Sequence, residues 1–181
     1  MNELIKFSRS VTVQWEGLPQ AEILSVIQES FKKTKCNYTC ELLNIQNSFG
    51  IYAFFIKPKV KNGTIQELEK IWNTKGFEKF PKIIKKRYST KKGDNGWFNF
   101  YIGKSEKLQR RIFEHCDHHS KHPTYGLKLK EREEFFENNE IQIGYWLLPD
   151  MSGADKKIKQ FIITNLESAL REEMQPWVGK Q

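Results

Sequence analysis

Three short apolar runs constrain this chain more than any other feature. They cover residues 49–56, 97–103 and 141–148, are dense in β-branched and aromatic side chains, and are bounded by proline or glycine. Such runs read as strands. Segments with helical spacing lie around them. Pro19 opens one that carries Ile23, Leu24, Ile27 and Phe31, and Ser105 caps another in which Leu108, Ile112 and His115 share a face, stopped by Pro123. A further helix is expected over 127–136. The longest is expected over 154–175, with Ile158, Phe161, Ile162, Leu166, Ala169 and Leu170 on its apolar side. The predicted fold class is α/β (α+β), a small, mostly antiparallel sheet of three core strands flanked by helices. Residues 1–48 form an N-terminal extension, a strand over 4–15 plus the first helix. Residues 49–181 form the main domain, with an insertion at 61–96 that begins with a short helix ending at Trp72 and is otherwise rich in loops.

Twenty-four aromatic residues among 181 suffice for a packed core. None of the apolar runs reaches membrane-spanning length, and the N-terminus lacks the shape of a signal peptide. Three scattered cysteines suit a reducing compartment, so a cytoplasmic protein is expected, with no membrane partner.

Charge is unevenly placed. The chain carries a net +8, and between Lys57 and Lys92 twelve basic residues face three acids, a local +9 that leaves about −1 for the remainder. A polyanion is the natural partner for such a segment, because each neutralised phosphate releases condensed counterions. A lysine-rich, solvated loop accounts for the charge equally well.

The chemistry-bearing residues cluster at strand ends. Gly50-Ile51-Tyr52 and Tyr101-Ile102-Gly103 each place a tyrosine beside a glycine, and if these strands pair, two phenols converge on one face of the sheet. The second tripeptide runs through Lys104 into a helix with Arg110, Arg111 and His115, the last two a helical turn apart. Far downstream, Glu167 borders the apolar stripe of the longest helix, where a carboxylate is costly unless it meets a cation. Phenols, an arginine, a histidine and one carboxylate are the parts for metal-assisted phosphodiester cleavage. Each also has a plainer role: strand aromatics for Tyr52 and Tyr101, a solvated helix face for Arg110 and Arg111, a surface ion pair for Glu167.

In this order and spacing, with Leu166-Glu167 followed by Pro176, the residues resemble the GIY-YIG nuclease superfamily, most closely its compact restriction endonucleases. The resemblance covers residues 49–60 and 97–181. It implies a divalent-metal-dependent DNA endonuclease in which Tyr52 is the general base, Tyr101 lines the same pocket, and Arg111 stabilises the transition state. It further implies that His115 supports or orients Tyr52, that Lys104 depresses a tyrosine pKa, and that Glu167 is the sole protein ligand of Mg²⁺ or Mn²⁺. Lys82, Lys85, Lys86 and Arg87 of the insertion, together with Arg110 and His122, are candidate contacts to double-stranded DNA. Cutting both strands with such sites implies a homodimer. Two departures stand out: 48 residues separate Tyr52 from Tyr101, where the family has a short hairpin, and Gly179 stands where many members have asparagine. A catalytically inactive nucleic-acid-binding protein of the same fold and a repair or mobile-element nuclease are the alternatives. A zinc-stabilised module is a further reading, because His115, His118, His119 and His122 would share one face of a continuous helix, with Cys36 and Cys40 as other ligand candidates.

Overall fold

The computed structural model describes residues 20–34, 36–37, 44–59, 65–73, 76–88 and 94–179. The strand expected over 4–15 lies outside them. In chain order the elements are α1 (Gln20–Lys33), β1 (Cys36–Asn37), β2 (Gly50–Pro58), α2 (Ile65–Trp72), β3 (Lys82–Ile83), β4 (Phe98–Ser105), α3 (Leu108–Asp117), α4 (Glu133–Glu137), β5 (Asn139–Leu147), α5 (Lys156–Met174) and β6 (Val178–Gly179). The three apolar runs became β2, β4 and β5. They form an antiparallel sheet of order β1-β5-β2-β4, in which β1 adds a two-residue edge. Helices cover both faces, so the fold is the α+β class implied by the order of strands and helices.

Strand β2 is central and buried on both faces from Gly50 to Ile56, which is why its sequence is nearly continuous apolar rather than alternating. One face packs Ile51, Ala53, Phe55 and Ile102 against α1 and α5. Helix α1 lies directly on β5, since a Cβ at Gly144 would stand 2.6 Å from the Phe31 carbonyl oxygen. The other face packs Tyr52, Phe54 and Ile56 against α3 and the insertion. Between Phe54 and Phe55 the β2–β4 register slips, so Phe54 pairs with Tyr101 and Phe55 with Asn99. This β-bulge leaves Phe100 unpaired, and both Phe100 and Tyr101 pack into the same core cluster. Strict alternation would have sent them to opposite faces.

Several elements differ from the expectations. Helix α3 ends at Asp117, where His118 turns extended, six residues before Pro123. The chain then folds back along α3, so the Tyr125 carbonyl meets Arg111 and the Leu127 amide meets His115. The four histidines therefore do not share one helix. Residues 127–136 do not form one helix either. Lys128 adopts φ +58°, a 3₁₀ turn follows at Leu129–Glu131, and only Glu133–Glu137 is α-helical. From that left-handed turn the buried Lys128 donates its ammonium to the carbonyls of His122 and Thr124 at 2.7 and 2.6 Å. Helix α5 is capped by the Asp155 carboxylate, which accepts from the Ile158 amide. Its buried side is Ile163, Leu166, Leu170 and Met174, while Ile158 and Phe161 are exposed.

The insertion hides an apolar half beneath its lysines. Trp72 is fully buried, edge-on to Phe100 at 5.0 Å, and its indole N–H donates to the Pro81 carbonyl at 2.7 Å. Phe80, Ile83 and Ile84 are buried as well, and β3 pairs with β6 in a second small sheet.

Candidate active site

Tyr52 and Tyr101 meet because Gly103 has no side chain. Tyr52 pairs across the sheet with Gly103, and a Cβ there would stand 2.6 Å from Tyr52 Cζ and 3.0 Å from a Tyr101 ring carbon. The glycine thus makes room for the Tyr52 phenol to lie over β4, with ring centroids 6.2 Å apart between the two tyrosines.

His115 reaches Tyr52 from α3, its Nε2 2.6 Å from the phenolic oxygen, and both residues are buried. Its other nitrogen, Nδ1, accepts the Leu127 amide N–H at 3.1 Å. A neutral imidazole has one donor and one acceptor, so the remaining proton sits on Nε2 and is donated to Tyr52. Burial, followed by the charges of Arg111, His118 and Lys128, holds His115 well below its ordinary pKa and hence neutral. Burial and then Tyr101 push Tyr52 well above the usual tyrosine value, against the pull of the Arg111 guanidinium. Tyr101 is raised too, chiefly by burial, and Arg111 again opposes the shift. Donation therefore runs from Leu127 N–H to His115 and from His115 to Tyr52, whose ring stands beside Tyr101 at the cleft.

Arg111 donates to the Glu114 carboxylate at 2.9 Å and to the Tyr125 carbonyl at 2.8 Å. Burial alone would lower its pKa, but Tyr52 and Glu114 raise it on balance, so it is a fixed cation beside two phenols. Opposite, α5 contributes Glu167, whose carboxylate lies 3.5 Å from Arg171 and 3.9 Å from Lys104. Tyr52, Tyr101, Lys104, Arg111 and Glu167 line one cleft of about 480 Å³, with Tyr125, Arg171 and Gly179 completing its wall. The five residues singled out in the sequence, spread over more than a hundred positions, are brought together, and His115 stands directly behind Tyr52.

The other candidates lie elsewhere. Arg110 is exposed on α3, pairs with Glu114 at 3.1 Å and lines an adjoining hollow of about 250 Å³. His122 stacks on His118 at 3.5 Å between ring centroids, and its Nδ1 accepts from the Thr124 amide. Lys82 sits over the Phe80 ring, Lys85 pairs with Glu69 at 2.9 Å, and Lys86 is exposed. Arg87 is close enough to Arg171 for the like charge to add to the lowering that burial causes. Among the described residues no group of three or more His, Cys, Asp or Glu side chains could hold a metal ion. Cys40 and the side chain of Cys36 lie outside that description.

Sequence reasoning missed Arg171 and Tyr125. Arg171 is one helical turn after Glu167, a spacing that signals a shared face. Tyr125 carries no such signal, because its place depends on the fold of the loop. Gly179 stands in the cleft wall, where a Cβ would approach Arg171 Nη2 at 3.3 Å. No protein-family model, curated protein or solved structure matches this chain.

Proposed function

We propose that this protein is a divalent-metal-dependent endonuclease of the GIY-YIG type that hydrolyses phosphodiester bonds in double-stranded DNA, of the restriction kind. The observation that carries this reading is the convergence of Tyr52, Tyr101, Lys104, Arg111 and Glu167 on a single cleft. Buried phenols, a fixed guanidinium and one carboxylate form a donor set suited to a phosphate and an attacking water.

A lone carboxylate on an open cleft suits Mg²⁺ or Mn²⁺, which keep several waters and take oxygens from the phosphate. Glu167 would hold that ion, which when bound supplies Lewis-acid stabilisation of phosphate charge. In its phenolate form Tyr52 takes the proton of the attacking water and returns to the phenol as the water oxygen bonds to phosphorus and the scissile P–O bond breaks, and Tyr101 aligns the water or a phosphate oxygen. His115 donates from Nε2 to the Tyr52 oxygen, which favours the phenolate, because a hydrogen bond to the charged form stabilises it. Arg111 lies where charge grows on the phosphate, and its bonds to Glu114 and Tyr125 keep it aimed there. Lys104 and Arg171 balance the Glu167 charge before substrate arrives. Arg171 also backs the wall that Gly179 leaves open, at the position of the family's asparagine.

The test is digestion of mixed plasmids with Mg²⁺ by the wild type and by Glu167→Ala. Discrete fragments from the wild type, absent without Mg²⁺ and absent in Glu167→Ala, are expected. A wild type that binds DNA without cutting it would point to the binding protein of the same fold. One cleft cuts one strand, so cleavage of both calls for a homodimer, which sedimentation on cognate DNA checks.

A further inference from the structure

Arg132 belongs neither to the cleft nor to the surface. It is 4% exposed, and burial brings its pKa down to about 9, so it remains a cation at neutral pH. A charge removed from water needs compensation. Among the described residues it has no ion-pair partner, and rings and carbonyls take that place. Its Cζ lies 3.8 Å from the Trp72 ring centroid, 4.0 Å from that of Phe77 and 4.9 Å from that of Phe80. Nη1 donates to the Trp72 carbonyl at 2.6 Å and Nε to the Leu127 carbonyl at 2.8 Å.

The second carbonyl gives the cage its meaning. Leu127 is fully buried, its carbonyl is held by Arg132, and its amide donates to His115 Nδ1. One residue earlier, the Gly126 amide donates to the Lys79 carbonyl at 3.0 Å, and the Glu78 amide donates to the Ser120 carbonyl at 3.0 Å. The insertion's backbone therefore grips the loop behind His115 at two points, and Arg132, caged by the insertion's rings, holds a third, the carbonyl of the residue whose amide meets the imidazole.

We propose that Arg132 is a positioning residue: caged by the insertion's rings, it fixes Leu127 so that its amide occupies Nδ1 of His115, which places the imidazole proton on Nε2, facing Tyr52. The insertion is then a brace for proton handling. The catalytic consequence rests on the nuclease reading, whereas the tautomer does not. Without that grip, Nδ1 can carry the proton, Nε2 becomes an acceptor, and Tyr52 loses the donor that favours its phenolate.

The experiment is a long-range ¹H–¹⁵N correlation spectrum of the ¹⁵N-labelled full chain near pH 7.5, for the wild type and Arg132→Lys. Lysine keeps a cation in the cage but has no fork to span two carbonyls. The wild type is expected to show His115 protonated on Nε2 only, and Arg132→Lys a mixture of tautomers. Alongside that, plasmid cleavage should fall about tenfold in kcat, the scale of losing an outer partner of a reacting group. A wild-type His115 protonated on Nδ1, or a folded Arg132→Lys with an unchanged His115 spectrum, overturns the proposal. Should Arg132→Lys not fold, Phe77→Leu loosens the cage at a partly exposed ring while both carbonyls stay in place. A smaller shift towards the mixture is then expected, and none would overturn the proposal. If the wild-type tautomer is as assigned but no DNA is cut, the nuclease reading fails and the role of Arg132 stands.

Discussion

The two walls of the cleft are built on opposite terms. On the sheet side, Tyr52 is 1% exposed, His115 is fully buried, and they meet at 2.6 Å with the imidazole proton placed by the Leu127 amide. On the helix side, the Glu167 side chain keeps 14% exposure, and its cations stand at 3.5 and 3.9 Å, at or beyond the outer limit of a hydrogen bond. A group that takes a proton from water gains from a dry, preorganised setting, since each dipole then acts at full strength. A group that binds an ion or meets a phosphate must be able to exchange partners. The contrast makes the sheet wall the part that stability and proton chemistry share, and the helix wall the part that can be altered at little structural cost.

The largest effect that sharpens this contrast is expected from Tyr52→Phe. Removing the base of the proposed mechanism should lower kcat by about 10³-fold. It should also cost about 1–3 kcal/mol, because His115 Nε2–H is left buried without an acceptor. Plasmid cleavage and thermal melting read the two numbers, and an unchanged melt would mean that the wall is less dry than described. Next comes Arg111→Lys, where replacing a forked donor with a point charge should lower kcat by about 10²-fold. Equal activity would rule out the transition-state role proposed for Arg111.

A pH effect separates the walls further. Buried His115 titrates well below its ordinary value of 6.5, so below pH 6.5 the unfolded chain binds a proton that the folded one refuses. Stability should therefore fall as pH drops from 6.5 towards the folded pKa, by at most about 1.4 kcal/mol per unit from this group. Urea melts at pH 7.5 and 5.5 check the sign. His115→Gln should flatten the dependence, leaving the part owed to His118, shifted down by burial first and then by His122, and to His122, shifted down by burial first and then by Lys128. The smallest effect is expected from Glu167→Gln, under about 1 kcal/mol in the same melts, because its ion pairs are partly exposed. If it destabilises more than Tyr52→Phe, the comparison between the walls is reversed.

Much of this was legible in local pattern. The runs at 49–56, 97–103 and 141–148 became β2, β4 and β5 within two residues at either end, because strands dense in β-branched and aromatic residues declare themselves over short windows. Arg111 and His115 could be placed on one helix by their spacing alone. The bulge was not legible: nothing in the run Asn99-Phe100-Tyr101 says that Phe100 goes unpaired and turns the tyrosine with it. Lysine density likewise concealed that Trp72 and Phe80 are core residues, since charge counts do not say which face of a segment is covered.

The residue order settled the three core strands and the helices at Gln20–Lys33 and Lys156–Met174, because these follow from interactions within a few residues. Only the tertiary structure decided that residues 52, 101, 111 and 167 share one cleft, and that residues 72, 127, 132 and 115 form a line behind it. Burial and long-range contact also set which nitrogen of His115 bears the proton and how far the Tyr52 pKa moves. Those quantities depend on what is excluded from water, a property of the packed molecule rather than of any stretch of its chain.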